Sequence, residues 1–269
     1  MGDCQTVADY LIHANNAAAM WWALAEGHGE LLAWTGRVRI VVPSPHHPLR
    51  AIVLDADSAV EDTIRTVGRS VLARSDVARR VVEDASGKLD LAPHGFQERF
   101  RMTVMLREPG RRLAVRSRYR PGPVTVAGEP GELAAAEQIM DAVFPPPRIE
   151  PDMLGRTQPV RVLGIEGWQV WLGRRADVPA GAACTFHDGT SLGIYQVATL
   201  PEHRGDGVAR AIVEAALADH PNVPVTLTST EQGRPLYEHL GFRTVSEAVW
   251  WIPASTHAPS GGDRAARLR

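Results

Sequence analysis

The sequence predicts a mixed α/β chain, and three observations carry that prediction. Short β-rich runs such as RVRIVV, VTVA and VPVTLT alternate with amphipathic stretches of helical length. Residues 192–217, LGIYQVATLPEHRGDGVARAIVEAAL, read as strand, glycine-rich turn and helix without interruption. Arg120-Pro121-Gly122-Pro123 breaks the chain near its middle, because two prolines around a glycine stop a helix or a central strand. The halves on either side are expected to form domains at 1–121 and 122–254.

In the first half, Thr6 to Glu26 forms an amphipathic helix. Strands follow at RVRIVV and AIVLDA, then helices near Ala59–Ala73 and Asp76–Asp84, and a strand at RMTVML. In the second half, VTVA is a strand and PGELAAAEQIMDAVF a helix that Phe144-Pro145-Pro146-Pro147 ends. WQVWLG and GAACTF form a hairpin around the turn Arg174–Gly181. VPVTLT is a strand. Arg234 to Leu240 is a short helix with Pro235 in its first turn and Gly241 as its stop. Phe242 to Ile252 closes the chain as a strand. The tail from Ser255, small and polar, is expected to be disordered.

The turn inside 192–217 carries the functional signal. Arg204-Gly205-Asp206-Gly207-Val208-Ala209 reads R-x-x-G-x-A, between a strand and a helix. A helix start aims free N–H groups and a partial positive charge at one point, which suits a pyrophosphate. Gly205 and Gly207 admit close approach, and Ala209 keeps the first helical turn thin. The spacing is neither a Walker loop nor a dinucleotide fingerprint. An ordinary strand-to-helix turn with two glycines is the bland alternative.

The flanks favour the sharper reading. VATLPEHRGDGVARAIV resembles the CoA-binding motif of the GNAT superfamily of acyl-CoA-dependent N-acyltransferases, whose pattern is Q/R-x-x-G-x-G/A. TSTEQGRPLYEHLGF resembles the second half of that motif set, where a tyrosine precedes leucine-glycine-phenylalanine. The resemblance covers residues 124–253 and implies acetyl-CoA as acyl donor, with no metal. It implies that backbone groups of Val197, Ala198 and Thr199 pair with pantetheine and donate to the thioester oxygen. Residues Arg204, Gly205, Asp206, Gly207, Val208, Ala209 and Arg210 would hold the diphosphate. Tyr237 would protonate the leaving thiolate; its alternative role is a half-buried helix tyrosine. The base is not legible: His187, Asp188, Glu166, Glu231 and a water chain all stay open, and His187-Asp188-Gly189 reads first as a hairpin turn. Residues 144–161 are a candidate acceptor loop or a plain surface loop.

The element order of the first half resembles a shortened GNAT domain, and the resemblance implies two tandem GNAT-like domains, each a mixed, mostly antiparallel sheet flanked by helices. Gly95-Phe96 precedes Met105-Leu106 by the spacing that separates Gly241-Phe242 from Trp251-Ile252. Where a phosphate loop would lie, the chain instead places Asp55, Asp57, Glu61 and Asp62, which repel a pyrophosphate. The first half is thus expected to be a degenerate copy without a CoA site, or else an unrelated α/β module.

Composition narrows the rest. The chain has 269 residues, 44% apolar and 22% charged, with a net charge of −2, so it has a normal core and no global pull toward nucleic acid or membrane. Two cysteines make no disulfide framework, and the chain reads as cytoplasmic, with no basic signal region at its start. Cys184 reads as a buried small apolar residue. His46-His47 reads as a loop pair, Trp21-Trp22 as core, and the arginines from Arg99 to Arg120 as a solvated face. The expected activity is an N-acetyltransferase acting on a primary amine of a small molecule, an antibiotic or a peptide N-terminus, as monomer or homodimer. The alternatives are an inactive CoA-binding sensor or scaffold, and a protein-lysine acetyltransferase.

Overall fold

The computed structural model describes residues 3–111, 122–144 and 155–254. The tail from Ser255, Arg120 and Pro121 of the break, and residues 145–154 of the candidate acceptor loop lie outside them.

Strands β1 (Glu30–Trp34), β2 (Val38–Val42), β3 (Leu49–Val53), β4 (Arg80–Asp84) and β5 (Phe96–Arg107) belong to the first half, with helices α1 (Asp3–Ala25) and α2 (Val60–Leu72). The second half supplies β6 (Val124–Val126), α3 (Pro130–Val143), β7 (Trp168–Arg175), β8 (Val178–His187) and β9 (Leu192–Thr199). It continues with α4 (Val208–Asp219), β10 (Val225–Ser229), α5 (Arg234–His239) and β11 (Arg243–Pro253). The strands join in one sheet in the order β1-β2-β3-β4-β11-β5-β10-β9-β8-β7-β6. Its pairs are antiparallel except β3–β4 and β9–β10, where a helix crosses over between parallel neighbours. The last strands of the two halves are interleaved. β5 lies between β10 and β11, and β11 lies between β5 and β4, so one sheet runs through both halves.

Asp76–Asp84 is not the expected helix. Val81, Val82 and Glu83 belong to β4, which pairs with β3 from Leu49↔Arg80 to Val53↔Asp84. β-branched residues with a parallel partner on one side and β11 on the other are better satisfied in a sheet than in an isolated turn of helix.

Helix α4 shows why the local sequence folds as it does. Val208, Ile212, Val213, Ala216 and Leu217 repeat at helical spacing and are all buried. They meet Ile194, Leu192 and Leu227 of the sheet in one core cluster. Full burial of each such aliphatic side chain contributes about 1.5–3 kcal/mol. Gly173 and Gly181 let the start of α4 lie against the sheet: a Cβ at Gly181 would sit 2.6 Å from Val208 Cγ1. Helices α2 and α4 cover one face, and α1 and α3 the other. Helix α1 spans both halves. Tyr10, Ala14 and Ala18 pack on Ile52 and Leu54, while Met20 and Leu24 join Leu133, Ile139 and Met140 of α3.

Candidate active site

The strand directions define one end of the sheet at which β9, β10 and β11 finish and β3, β4 and β5 begin. At that end β9 and β10 separate. They pair at Leu192↔Val225, Gly193↔Thr226 and Ile194↔Leu227, and the pairing stops there. Beyond Ile194, β9 keeps only β8, through Tyr195, Ala198 and Thr199. An irregularity in that pairing coincides with Gln196, whose φ of 52° is left-handed. Such a backbone costs of order 1 kcal/mol and is held by its surroundings. Here the Gln196 side-chain oxygen accepts a hydrogen bond from Gln158 Nε2 at 3.0 Å.

The residues expected to hold pantetheine stand on this separated stretch. Val197 packs on the α4 side, Ala198 is buried, and Thr199 Oγ1 is buried without a hydrogen-bond partner among the described residues. An orphaned hydroxyl at the mouth of a cleft fits a polar ligand there. In the loop that follows, Gly205 and Gly207 have left-handed φ of 85° and 81°. Gly207 caps α4 with no side-chain hydrogen bond, and the first backbone bond into the helix is Ala211 N–H to the Gly207 oxygen. The amides of Val208 and Ala209 are thus the donors that a helix start leaves without an intrahelical acceptor. Arg204 is exposed, and the Arg210 guanidinium donates to Glu214 at 2.7 Å. Asp206, an anion in the loop expected to hold the diphosphate, is offset by Arg175, whose Nε lies 3.2 Å from Asp206 Oδ2. Arg175 carried no signal in the sequence, because only the β7–β8 turn brings it to the loop.

Tyr237 projects from α5 into the α4-side core and stacks edge-on to Phe242, with ring centres 5.9 Å apart. Burial pushes its pKa up to about 12. Its hydroxyl makes no hydrogen bond among the described residues, so it is a neutral donor without a protein acceptor.

Three base candidates lie at the wrong end. His187 and Asp188 close the β8–β9 turn, and Glu166 precedes β7 beside Gly167, whose oxygen accepts from the His187 N–H. The length of β9, about 23 Å at 3.3 Å per residue, separates them from the loop. Asp188 is a turn anchor. Burial raises its pKa, but hydrogen bonds from Thr190 and Ser191 outweigh that and hold it below the usual carboxylate value. Its Oδ2 also accepts from Asn16 Nδ2 at 3.1 Å. Glu231 follows β10 at the cleft end and is exposed.

The first half reaches the cleft on the α1 face. Fully buried Glu137 accepts hydrogen bonds from the backbone of Gly155, Thr157 and Gln158, and so pins the described end of the candidate acceptor loop. His47 donates to the Thr157 oxygen at 3.2 Å and accepts from Ser44 Oγ at 2.8 Å. A carbonyl only accepts, so Nε2 carries the proton. Trp21 packs edge-on to His47 at 5.7 Å, and Arg50 lies over the Trp21 ring at 4.4 Å. Only the fold brings Trp21, His47, Arg50, Gln158 and Gln196 together; their sequence neighbourhoods read as core or loop.

The corresponding place in the first half is closed. β3 and β4 stay paired through Val53↔Asp84, so no gap opens between them. Asp55 accepts from the amides of Asp57 and Ser58, and Asp57 pairs with Lys88 at 2.5 Å. The Asp84 carboxylate is filled by Ser86 and the Leu89 amide. Among the described residues no group of three His, Cys, Asp or Glu could hold a metal ion. No described helix is long and apolar enough to cross a membrane.

Comparison with known proteins agrees with this geometry. Residues 166–244 match the family model "Acetyltransferase (GNAT) domain". A GCN5-related N-acetyltransferase from Kribbella flavida shares the fold with TM-score 0.63 and 21% identity, over 91% of this chain and 96% of that one. A putative GNAT acetyltransferase from Novosphingobium aromaticivorans gives 0.56 and 16%, over 84% and 92%. A tandem GNAT protein from the clavulanic acid biosynthesis pathway gives 0.52 and 16%, over 96% and 97%. No curated protein matches the chain.

Proposed function

We propose, on the premise that residues 166–244 are a GNAT acetyltransferase domain, that this chain transfers the acetyl group of acetyl-CoA to a primary amine. The carrying observation is the loss of β9–β10 pairing after Ile194, directly before a loop with two left-handed glycines and an uncapped helix start. A gap that exposes strand amides and a diphosphate cradle suit a long, bent ligand with a phosphate at one end.

In this reading the amides of Val208 and Ala209 receive the diphosphate, with Arg204 adding charge. The Val197–Thr199 edge aligns the pantetheine arm and donates to the thioester oxygen as it gains charge. The amine nitrogen attacks the carbonyl carbon, the C–S bond breaks, and the proton lost by nitrogen balances the one gained by sulfur. Tyr237 supplies a hydrogen bond to that sulfur. The chain acts as two GNAT-like units, 1–121 and 122–254, of which the first binds no CoA. The closed β3–β4 pair and the acidic turn at 55–62 support that assignment, and Trp21, His47 and Arg50 form its contribution to the acceptor side. The amine belongs to a small molecule, an antibiotic or a peptide N-terminus, and the low cysteine content supports work in the cytoplasm.

The test is release of free thiol from acetyl-CoA against a panel of amines, with mass spectrometry of the product. Acetylated product from at least one amine is expected. CoA binding without thiol release from any amine would leave a binding protein rather than an enzyme.

A further inference from the structure

A second cavity of about 420 Å³ opens at the same end of the sheet as the β9–β10 gap. It is bounded by the starts of β3, β4 and β5 and the end of β11. Four arginines line it, Arg50, Arg79, Arg80 and Arg99, together with Phe100 and Trp250, and no carboxylate does. The two aromatic rings are stacked, with centres 5.1 Å apart and planes 26° apart, and Phe100 is 45% exposed. Phe100 and Trp250 are register partners, and Trp250 is paired in turn with Glu83, so these side chains share one face of the sheet. That is the face covered by α1 and α3, on which Gln158, His47 and Trp21 also meet.

The charges in this cavity are not internally satisfied. Arg50 makes no hydrogen bond among the described residues, and its Nε is shut off from water. The opposite charge that acts on it is Glu83, whose carboxylate already lies 3.2 Å from His13 Nε2. Arg80 donates to the Val71 and Leu72 oxygens at the end of α2, while its Nε is also buried without a partner. Arg79 donates to the His46 oxygen. Arg99 is exposed and has no hydrogen-bond partner among the described residues. Arg80 thus turns toward α2 on the other face, while Arg50, Arg79 and Arg99 stand around the apolar floor, repel one another and leave donors empty, which an oxyanion reverses.

We infer that this arginine-lined cavity holds the far end of the acceptor, so that the substrate is an elongated amine carrying a carboxylate or phosphate. This rests on the acetyltransferase reading and narrows its acceptor. The cavity is centred two to three strands from β10. At about 4.8 Å per strand, amine and anion stand on the order of 10–15 Å apart. An apolar or aromatic segment lies between them on Phe100 and Trp250. That distance is about the length of an extended tripeptide. A single α-amino acid is too short.

The experiment compares matched pairs that differ only in the anion. The tripeptide Ala-Phe-Ala and 8-aminooctanoic acid are each titrated, as free acid and as terminal amide, into CoA-saturated protein by calorimetry. Phenylalanine serves as the short control. The acids are expected to bind at least 10-fold more tightly than their amides, with phenylalanine weaker than either. The preference is expected to vanish in Arg79→Gln/Arg99→Gln and to shrink in Arg99→Gln alone, which removes only an exposed side chain. Acetyl-CoA affinity reports that each variant is folded. Equal binding of acid and amide, no binding of either acid, or an unchanged preference in the double variant would overturn the inference. Because this readout is binding, it is separate from thiol release: failure to acetylate any amine refutes the enzyme, not the anion site.

Discussion

Replacing Tyr237 by Phe isolates one hydroxyl. The ring and its edge contact with Phe242 remain, and no hydrogen bond to a described residue is lost. Stability is therefore expected to change by no more than about 0.5 kcal/mol, the usual scale for a neutral site. The catalytic effect is larger. A hydrogen bond to a charged sulfur contributes about 1.5–3 kcal/mol, which predicts a fall in kcat of roughly 10- to 100-fold. The pKa of about 12 shapes how that bond acts. A thiol near 8.5 is the stronger acid by about 3.5 units, so complete transfer from phenol to thiolate is uphill by about 5 kcal/mol. In the proposed mechanism the hydroxyl therefore acts as a donor to the leaving sulfur, and the final proton on sulfur comes from the amine. It also stays protonated through neutral and mildly basic pH. The ratio of wild-type to variant rates should thus be flat from pH 7 to 9, even where kcat/KM itself rises as the amine loses its proton. Single-turnover acetyl transfer gives the chemical rate free of product release, and calorimetry gives acetyl-CoA affinity, expected within about twofold of wild type. An unchanged single-turnover rate would refute the role. A loss of acetyl-CoA affinity matching the loss of rate would assign Tyr237 to ligand packing.

Gly207→Val forces a β-branched residue to a φ of 81° at the start of α4, a strain of roughly 1–3 kcal/mol. The rise in Tm that acetyl-CoA gives the wild type is expected to disappear, read by thermal shift, and a retained shift would contradict the phosphate-loop assignment. Titration calorimetry is expected to give one CoA per chain, since β3 and β4 leave no gap; two sites of similar affinity would contradict a degenerate first half. His47 supplies a pH dependence. Burial, against the Thr157 hydrogen bond and with help from Arg50, Arg79 and Arg161, lowers its pKa from 6.5 to about 4. A depressed folded-state pKa means that its contribution is full above pH 6.5 and is lost as pH falls toward 4, about 3 kcal/mol in all. Tm should drop between pH 6.5 and 4.5, and less so in His47→Gln; identical pH profiles would remove His47 from the account.

The geometry of the loop at 204–210 was legible because its physics is local. Two glycines and a helix start within a few residues dictate free amides at one point, whatever the rest of the chain does. The burial stripe of α4 and the positions of α3, α5 and the β7–β8 hairpin followed in the same way from spacing and turn residues. The stretch 76–84 misled for the opposite reason. Its residues suit a short helix as well as a strand, and the partners that choose between them, β3 and β11, are 31 and 165–169 positions away by register. His187, Asp188 and Glu166 were open as bases because a sequence does not say which end of a strand faces the chemistry.

By itself the sequence determined the α/β class, the strand–loop–helix that suits a diphosphate, and the tyrosine that follows it. Each depends on contacts within one turn or one helical face. Only the tertiary structure decided that β5 and β11 interleave, that β9 and β10 part after Ile194, and that Arg175 reaches Asp206. It alone gathered Trp21, His47 and the four arginines at one end of the sheet. These depend on strand order, and strand order is set by burial summed over the whole chain, which no local pattern encodes.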